Sequence, residues 1–301
     1  MSNQLPHIAV CICTYKRPEL LRRTLDGVCT QQTDGLFTYS AVVADNDKAE
    51  SARAVVSEIA ARSVVPVLYA PEPRQGIARA RNKAVQSATG DYIAFIDDDE
   101  FPIGPWLLTL FRTIQQYNAA GILAPVNPFF DEGAPNWVVK GGFYARPVHP
   151  TGMTLHFRQC RTGNVLLKRE LFTGAGEPFN PACLSGEDQD FFRRKIAEGH
   201  TFLWCHEAPV YEVVPPVRWK RTFLFRRALF RGIFAQRNHG WQPVRVLQAI
   251  VSVPVFALAL PISLLFGQAA FMTCAFKLCY HAGRLFALLG VNPIQQPYVY
   301  D

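Results

Sequence analysis

Tyr92-Ile93-Ala94-Phe95-Ile96-Asp97-Asp98-Asp99-Glu100-Phe101 is the stretch whose reading decides the fold. Five apolar or aromatic residues run directly into three aspartates and a glutamate. A short continuous apolar run reads as a strand buried on both faces of a parallel sheet. Four adjacent carboxylates repel one another unless positive charge sits among them. A hard divalent cation, Mg2+ or Mn2+, bridging to a phosphate would supply that charge, because both prefer carboxylate and phosphate oxygen. A solvated acidic turn is the alternative that this stretch alone leaves open.

Upstream the same pattern recurs. Residues 8–13 form another apolar run, followed by the loop Thr14-Tyr15-Lys16-Arg17. Pro18 then opens a helix, where its missing N–H costs nothing, with Leu21, Leu25 and Val28 on one face. A second strand ends over residues 41–44 and delivers Asp45-Asn46-Asp47. A helix carrying Ala52, Val55, Val56 and Ile59 follows, then a third strand over residues 64–70 and a helix over 76–88, with Gly90 just past its end. The alternation predicts an α/β protein with a doubly wound, mostly parallel sheet. Ligands of such sheets bind beyond the carboxyl ends of the strands. Thr14, Tyr15, Asp45 and Asp97 to Asp99 all fall there. No Gly-x-Gly-x-x-Gly and no Walker lysine follow the first strand, so neither a dinucleotide turn nor a P-loop is present.

Downstream, residues 106–117 read as a helix and 122–126 as a strand. Residues 127–150, rich in Pro, Gly and aromatics, read as a long functional or mobile loop. Gly163-Asn164 precedes an apolar run, and Gly186-Glu187-Asp188-Gln189-Asp190 opens a helix that Gly199 terminates. The helix dipole favours carboxylates at that end. It does not require two of them adjacent at the very start.

The 301 residues carry a net charge of +7, distributed unevenly. Residues 213–300 hold ten Lys or Arg and no Asp or Glu, and the remainder holds 21 basic and 24 acidic residues. Such asymmetry points the last third at an anionic surface. Residues 218–245 carry eight basic residues among aromatics that include Phe223, Phe230 and Trp241. Residues 246–266 then contain no charge, enough at helical rise to span a bilayer core, with Pro254 and Pro261 expected to kink the helix. In residues 269–289, Lys277, His281 and Arg284 form a basic stripe of interfacial character. A basic run that leads into uncharged apolar sequence suits a membrane and not a nucleic acid. A soluble helical cap is the competing reading. The eight cysteines form no Cys-x-x-Cys pair and read as reduced, buried thiols. Residues 1–6 have no basic run of the kind that begins a secretory signal.

Taken together, Thr14-Tyr15-Lys16-Arg17-Pro18, Asp45-Asn46, Gly76 with Ala80-Arg81-Asn82, Asp97-x-Asp99, Gly163-Asn164 and Gly186-Glu187-Asp188 resemble glycosyltransferase family 2 in order and spacing, over residues 6–218. The segment Tyr211 to Arg218 resembles a subgroup that builds bacterial exopolysaccharides of the succinoglycan type. The resemblance implies a GT-A fold and an inverting enzyme that uses a nucleotide diphosphate sugar and Mg2+ or Mn2+. It implies metal binding by Asp97 and Asp99, and donor binding by Thr14, Tyr15, Asp45, Arg81 and Asp98. Asp188 resembles the catalytic base, with Glu187 and Asp190 as alternatives, and Gly163 and Asn164 fall in the acceptor region. Many members place a histidine near the end of the domain, where Glu212 stands here. The join of such a catalytic domain to a basic membrane segment makes the expected acceptor a polysaccharide or a polyprenyl-diphosphate-linked glycan at the cytoplasmic face of the membrane. The expected division is a catalytic domain over 1–217, a basic juxtamembrane segment over 218–245 and membrane-associated helices over 246–301. A sugar nucleotidylyltransferase remains open, although residues 13–18 lack the Gly-rich opening that class requires. So does a non-catalytic, membrane-bound glycan-binding protein.

Overall fold

The computed structural model describes residues 5–174, 176–183, 186–239 and 242–291; Trp241 and the tail from 292 lie outside the described residues. The expected alternation is present: β1 (His7–Thr14), α1 (Pro18–Val28), β2 (Thr38–Asp45), α2 (Arg53–Arg62), β3 (Val67–Pro71), α3 (Ile77–Ser87) and β4 (Tyr92–Asp97). There follow β5 (Glu100–Pro102), α4 (Trp106–Tyr117), β6 (Gly121–Leu123), β7 (Val126–Phe129), α5 (Asn136–Lys140), β8 (Asn164–Lys168), α6 (Glu187–Ala197), β9 (Phe202–Trp204) and β10 (Val210–Val213). The chain ends in α7 (Pro216–Trp219), α8 (Arg221–His239), α9 (Pro243–Ser263) and α10 (Gln268–Leu288).

Seven strands form one sheet in the order β3-β2-β1-β4-β8-β6-β9. β3, β2, β1 and β4 are mutually parallel, and β8 runs antiparallel to both its neighbours. Successive side chains of a strand point to opposite faces, so each interior strand feeds two cores. Ile8, Val10 and Ile12 pack with Leu21, Leu25, Val55 and Trp106 of α1, α2 and α4. Ala9 and Cys11 pack with Ala80 and Ala84 of α3 and Phe191 of α6. The result is a three-layer α/β/α sandwich whose order reverses between β1 and β4. A crevice opens at such a reversal, beyond the carboxyl ends of the strands.

β5, β10 and β7 form a second, three-stranded sheet. The segment 127–150 is therefore not a plain loop: it begins in β7 and contains α5. Its apolar residues require cover, and Trp137, Val138 and Tyr144 find it by burying together with Val214, Leu224 and Met272. Two compact units result, Met1–Phe129 with Arg146–Val213, and Phe130–Ala145 with Val214–Asp301. The expected boundary at 217/218 thus moves to 213/214, and residues 130–145 join the C-terminal helices.

Within the second unit, α8 and α10 cross in backbone contact. A Cβ at Gly232 would strike the carbonyl oxygen of Tyr280, and one at Gly283 would strike that of Leu229. Two of the three residues in the basic stripe of α10, His281 and Arg284, are buried and do not face outward as an interfacial helix would require, whereas Lys277 is exposed. His281 stacks on Phe256 with centroids 5.9 Å apart, and Arg284, 4% exposed, donates to Gln236 Oε1 at 3.4 Å. Periodicity assigned these residues to one face; α8 and α9 occupy that face. In contrast, α9 is widely exposed, with Leu258 at 75% and, just beyond its end, Leu265 at 84%. The helical stretch Pro243–Phe266 is long and apolar enough to cross a membrane.

Candidate active site

The crevice between β1 and β4 is closed at its base by a short bond. Thr14, the last residue of β1, donates from Oγ1 to Asp98 Oδ2 at 2.7 Å. Arg17 Nη1 lies 3.4 Å from Asp98 Oδ1 and from Asp99 Oδ2. The turn that carries these aspartates is held from two sides. Thr24 Oγ1 on α1 lies 2.9 Å from the carbonyl oxygen of Asp98 and 2.6 Å from that of Glu100, and Val213 N–H donates to the carbonyl of Asp99 at 2.8 Å. Tyr15 is half-buried, with Lys16 Nζ 5.2 Å from its ring.

A second group of charges lies along the same run. β5 and β10 pair antiparallel with Glu100 directly opposite Glu212. Two like charges in that register repel. Arg146 sits between them, with Nη2 paired to Glu212 Oε2 and Nη1 3.9 Å from Glu100 Oε1. Glu100 is fully buried, and its Oε1 accepts no hydrogen bond. Gly163 makes room for this carboxylate: a Cβ there would lie 2.8 Å from Glu100 Oε1 and 3.1 Å from Asp97 Oδ2.

Burial raises the pKa of every carboxyl in the run. Asp97 is raised by burial, against the pull of Arg81 and Arg146. Asp98 is raised by burial, against Arg17 and the Thr14 hydrogen bond. Asp99 is pushed up to about 7 by burial and then by Asp98, Glu212 and Asp97. Glu100 lies well above the carboxylate range through burial and the Asp97 charge. Arg17, Arg81 and Arg146 therefore offset only part of the cost of burying these carboxylates together, which is the setting that attracts a further cation.

Across the crevice, α6 begins at Glu187 after Gly186. Its three early carboxylates have different surroundings. Glu187 is 5% exposed and ion-paired to the buried Arg81 of α3. Asp190 pairs with Arg193 at 2.7 Å and Arg194 at 2.9 Å, one turn along its own helix. Asp188 is half-buried, and its Oδ1 accepts from the Gln189 N–H at 2.7 Å. Asn82, next to Arg81, binds both backbone groups of Phe179, at 2.7 Å to its oxygen and 2.9 Å from its nitrogen. That pins the segment leading into α6.

Other singled-out residues are engaged within the scaffold. Asp45 is fully buried and accepts from Asp47 N–H at 3.0 Å, Ala52 N–H at 2.9 Å and Tyr69 Oη at 2.9 Å. Asn46 ties the neighbouring loops together, donating to the carbonyls of Glu72 and Arg74 and accepting from Gly76 N–H. Asn164, 2% exposed, accepts from Trp106 Nε1 at 2.8 Å and donates to the carbonyls of Pro125 and Ala208 at 2.8 and 2.9 Å. Sequence reasoning placed Arg17 in the first loop without a role, gave no part to Arg146 or Thr24, and left Glu100 unassigned within the acidic run. Nothing in the local sequence of Arg146 announces that it lies beside Glu212.

The donor set suits a hard divalent cation: it is all oxygen, with one buried oxygen lacking a hydrogen bond. Among the described residues, no three His, Cys, Asp or Glu side chains converge on one point. Mg2+ is commonly held by only one or two carboxylates, with phosphate oxygens and water completing its shell.

Residues 9–175 match the model of glycosyl transferase family 2. The chain is 32% identical to the succinoglycan biosynthesis protein ExoM of Rhizobium meliloti (strain 1021), over 98% of this chain and 97% of that protein. Two solved structures share its GT-A fold. One is S. aureus TarS 1-349 in complex with UDP, with a TM-score of 0.56 and 15% identity over 98% of this chain and 94% of that one. The other is the mannosyltransferase PcManGT from Pyrobaculum calidifontis with GDP-Man and Mn2+, with a TM-score of 0.59 and 16% identity over 94% and 88%. A family match across more than half the chain, a relative aligned over nearly all of both lengths and this shared fold lead to one conclusion: the chain belongs to glycosyltransferase family 2.

Proposed function

We propose that the protein transfers a sugar from a nucleotide diphosphate sugar to a hydroxyl of a growing exopolysaccharide glycan carried on a polyprenyl diphosphate, with inversion at the anomeric carbon. The observation that carries the mechanism is the separate surroundings of the α6 carboxylates. Glu187 and Asp190 are committed to arginines, which leaves Asp188 to accept a proton. Asp188 takes the proton of the acceptor hydroxyl as that oxygen attacks the sugar from the face opposite the diphosphate. Asp97 and Asp99 hold Mg2+ or Mn2+, which when bound supplies Lewis-acid neutralisation of the departing nucleoside diphosphate. Thr14, Tyr15 and Asp45 border the nucleoside end of the crevice. Asp98, bonded to Thr14 and Arg17, fixes the donor edge, and Arg81 holds Glu187 against that edge. The exposed apolar stretch Pro243–Phe266, behind the basic α8, brings the enzyme to the cytoplasmic face of the membrane, where such acceptors reside.

A panel of nucleotide sugars tests this reading. Purified protein should release nucleoside diphosphate from one or a few donors in the presence of Mn2+ or Mg2+, and chelation should stop the release. Release that is indifferent to chelator and unaffected by Asp99→Ala would refute the metal assignment. Transfer at the wild-type rate by Asp188→Ala would refute the base.

A further inference from the structure

The carboxylate run raises a question that the proposed function does not answer: what neutralises it before a donor arrives. Glu100 of β5 and Glu212 of β10 face each other in the small sheet, close to Asp97 at the end of β4. The β5–β10 register sets Glu100 opposite Glu212, and Glu100 Oε1 and Asp97 Oδ2 both crowd the backbone at Gly163, where a Cβ would lie 2.8 and 3.1 Å from them. Glu100 is entirely buried, and its Oε1 is without a hydrogen bond. A buried carboxylate oxygen left in this way is costly unless a cation stands near it. Arg146 is such a cation. It pairs with Glu212 and reaches to 3.9 Å from Glu100 Oε1, and its side chain is 40% exposed, so solvent reaches it.

We propose that Arg146 is the resident counter-cation of this site: it clamps Glu100 and Glu212 together and thereby holds down the affinity of the Asp97 side for a free divalent cation. A guanidinium cannot lose its proton at working pH, so its positive charge is permanent. A divalent ion approaching Asp97 meets that charge, because Arg146 lies near enough to act electrostatically on the Asp97 carboxyl. The diphosphate of an incoming donor adds negative charge and tips the balance, so the metal binds strongly with the donor and weakly before it. Arg146 acts here as a positioning and affinity-setting residue. This inference rests on the metal reading proposed above, and the test separates the two.

The measurement is Mn2+ binding to the full-length protein without nucleotide, by titration followed by electron paramagnetic resonance. Arg146→Met should bind Mn2+ at least about tenfold more tightly than wild type, a difference of about 1.4 kcal/mol. Arg146→Lys, which keeps the charge, should stay within about threefold of wild type. In Arg146→Met/Glu212→Gln a carboxylate leaves together with the cation, so the gain should disappear. Adding UDP or GDP should tighten Mn2+ binding more in wild type than in Arg146→Met, for whichever nucleotide the site accepts. An Arg146→Met protein that is folded by circular dichroism and binds Mn2+ no better than wild type overturns the proposal. If that variant does not fold, the charge-balanced double variant decides: tenfold tighter binding there would equally overturn it. Wild-type affinity reports on the metal reading, whereas the ratio of variant to wild type reports on Arg146. Tight binding to the variant with none to wild type would support the clamp.

Discussion

Adjacent residues Glu187 and Asp188 should fail in opposite ways when mutated. Glu187 and its partner Arg81 are both nearly sealed from solvent, with side chains 6% and 9% exposed. Removing one member of a buried ion pair strands the other charge and costs about 3–5 kcal/mol. Glu187→Ala should therefore lower the unfolding free energy by about that amount in urea titrations followed by circular dichroism. The stranded Arg81 is the cause, so Arg81→Met/Glu187→Leu should recover most of the loss, since apolar replacements of a buried pair are often neutral or better. Asp188 is half-buried, and its bond is to the neighbouring backbone N–H. Its replacement by Asn keeps the shape and should change stability by less than about 1 kcal/mol, while losing a general base worth about 10²–10⁴ in rate. The activity assay is transfer to acceptor, measured beside slow donor hydrolysis. A Glu187→Ala protein of wild-type stability that transfers no sugar would refute the division of labour. A fully active Asp188→Asn protein would do so as well.

Three further outcomes are expected. Asn82→Ala should cost about 1–3 kcal/mol through the two Phe179 backbone groups it leaves unpaired, and should lower kcat more than it raises the donor KM, because α6 loses its anchor. Gly163→Ala places a methyl 2.8 Å from Glu100 Oε1; overpacking of about 1–3 kcal/mol should appear as a lower Tm, and a Tm equal to wild type would contradict the close approach. Cys11 is fully buried, and burial raises its thiol well above the usual range, so iodoacetamide at pH 8 should leave it unmodified until urea is added, as read by peptide mass spectrometry.

The sequence exposed the parts of this site that local chemistry writes side by side. Continuous apolar runs ending in polar residues located β1, β2 and β4, and with them Thr14, Asp45 and Asp97. The acidic start of α6 was equally plain. What stayed hidden are partners distant in the chain. Arg81 meets Glu187 across 106 positions, Asn82 meets Phe179 across 97, and Arg146 meets Glu212 across 66. No spacing rule connects them, because the pairings are made by sheet order and not by helix or strand period. The basic stripe of α10 shows the same limit from another direction. Its period correctly grouped His281 and Arg284 on one face, but a period does not say what lies opposite. Residues 127–150 were misleading for a compositional reason: prolines and glycines obscured β7 and α5, whose aromatics were the real signal of a second core.

The turn at Asp98 and Asp99 has a thermodynamic consequence. Two residues join the last position of one sheet to the first of another, and Thr24 and Val213 anchor their carbonyls. The ordering of this segment is thus completed when the chain folds, and little conformational freedom remains to be lost when a ligand arrives. Calorimetry of nucleotide and Mn2+ binding should accordingly show a small heat-capacity change and no sign of coupled folding, in contrast to enzymes that organise their metal loop only around the substrate.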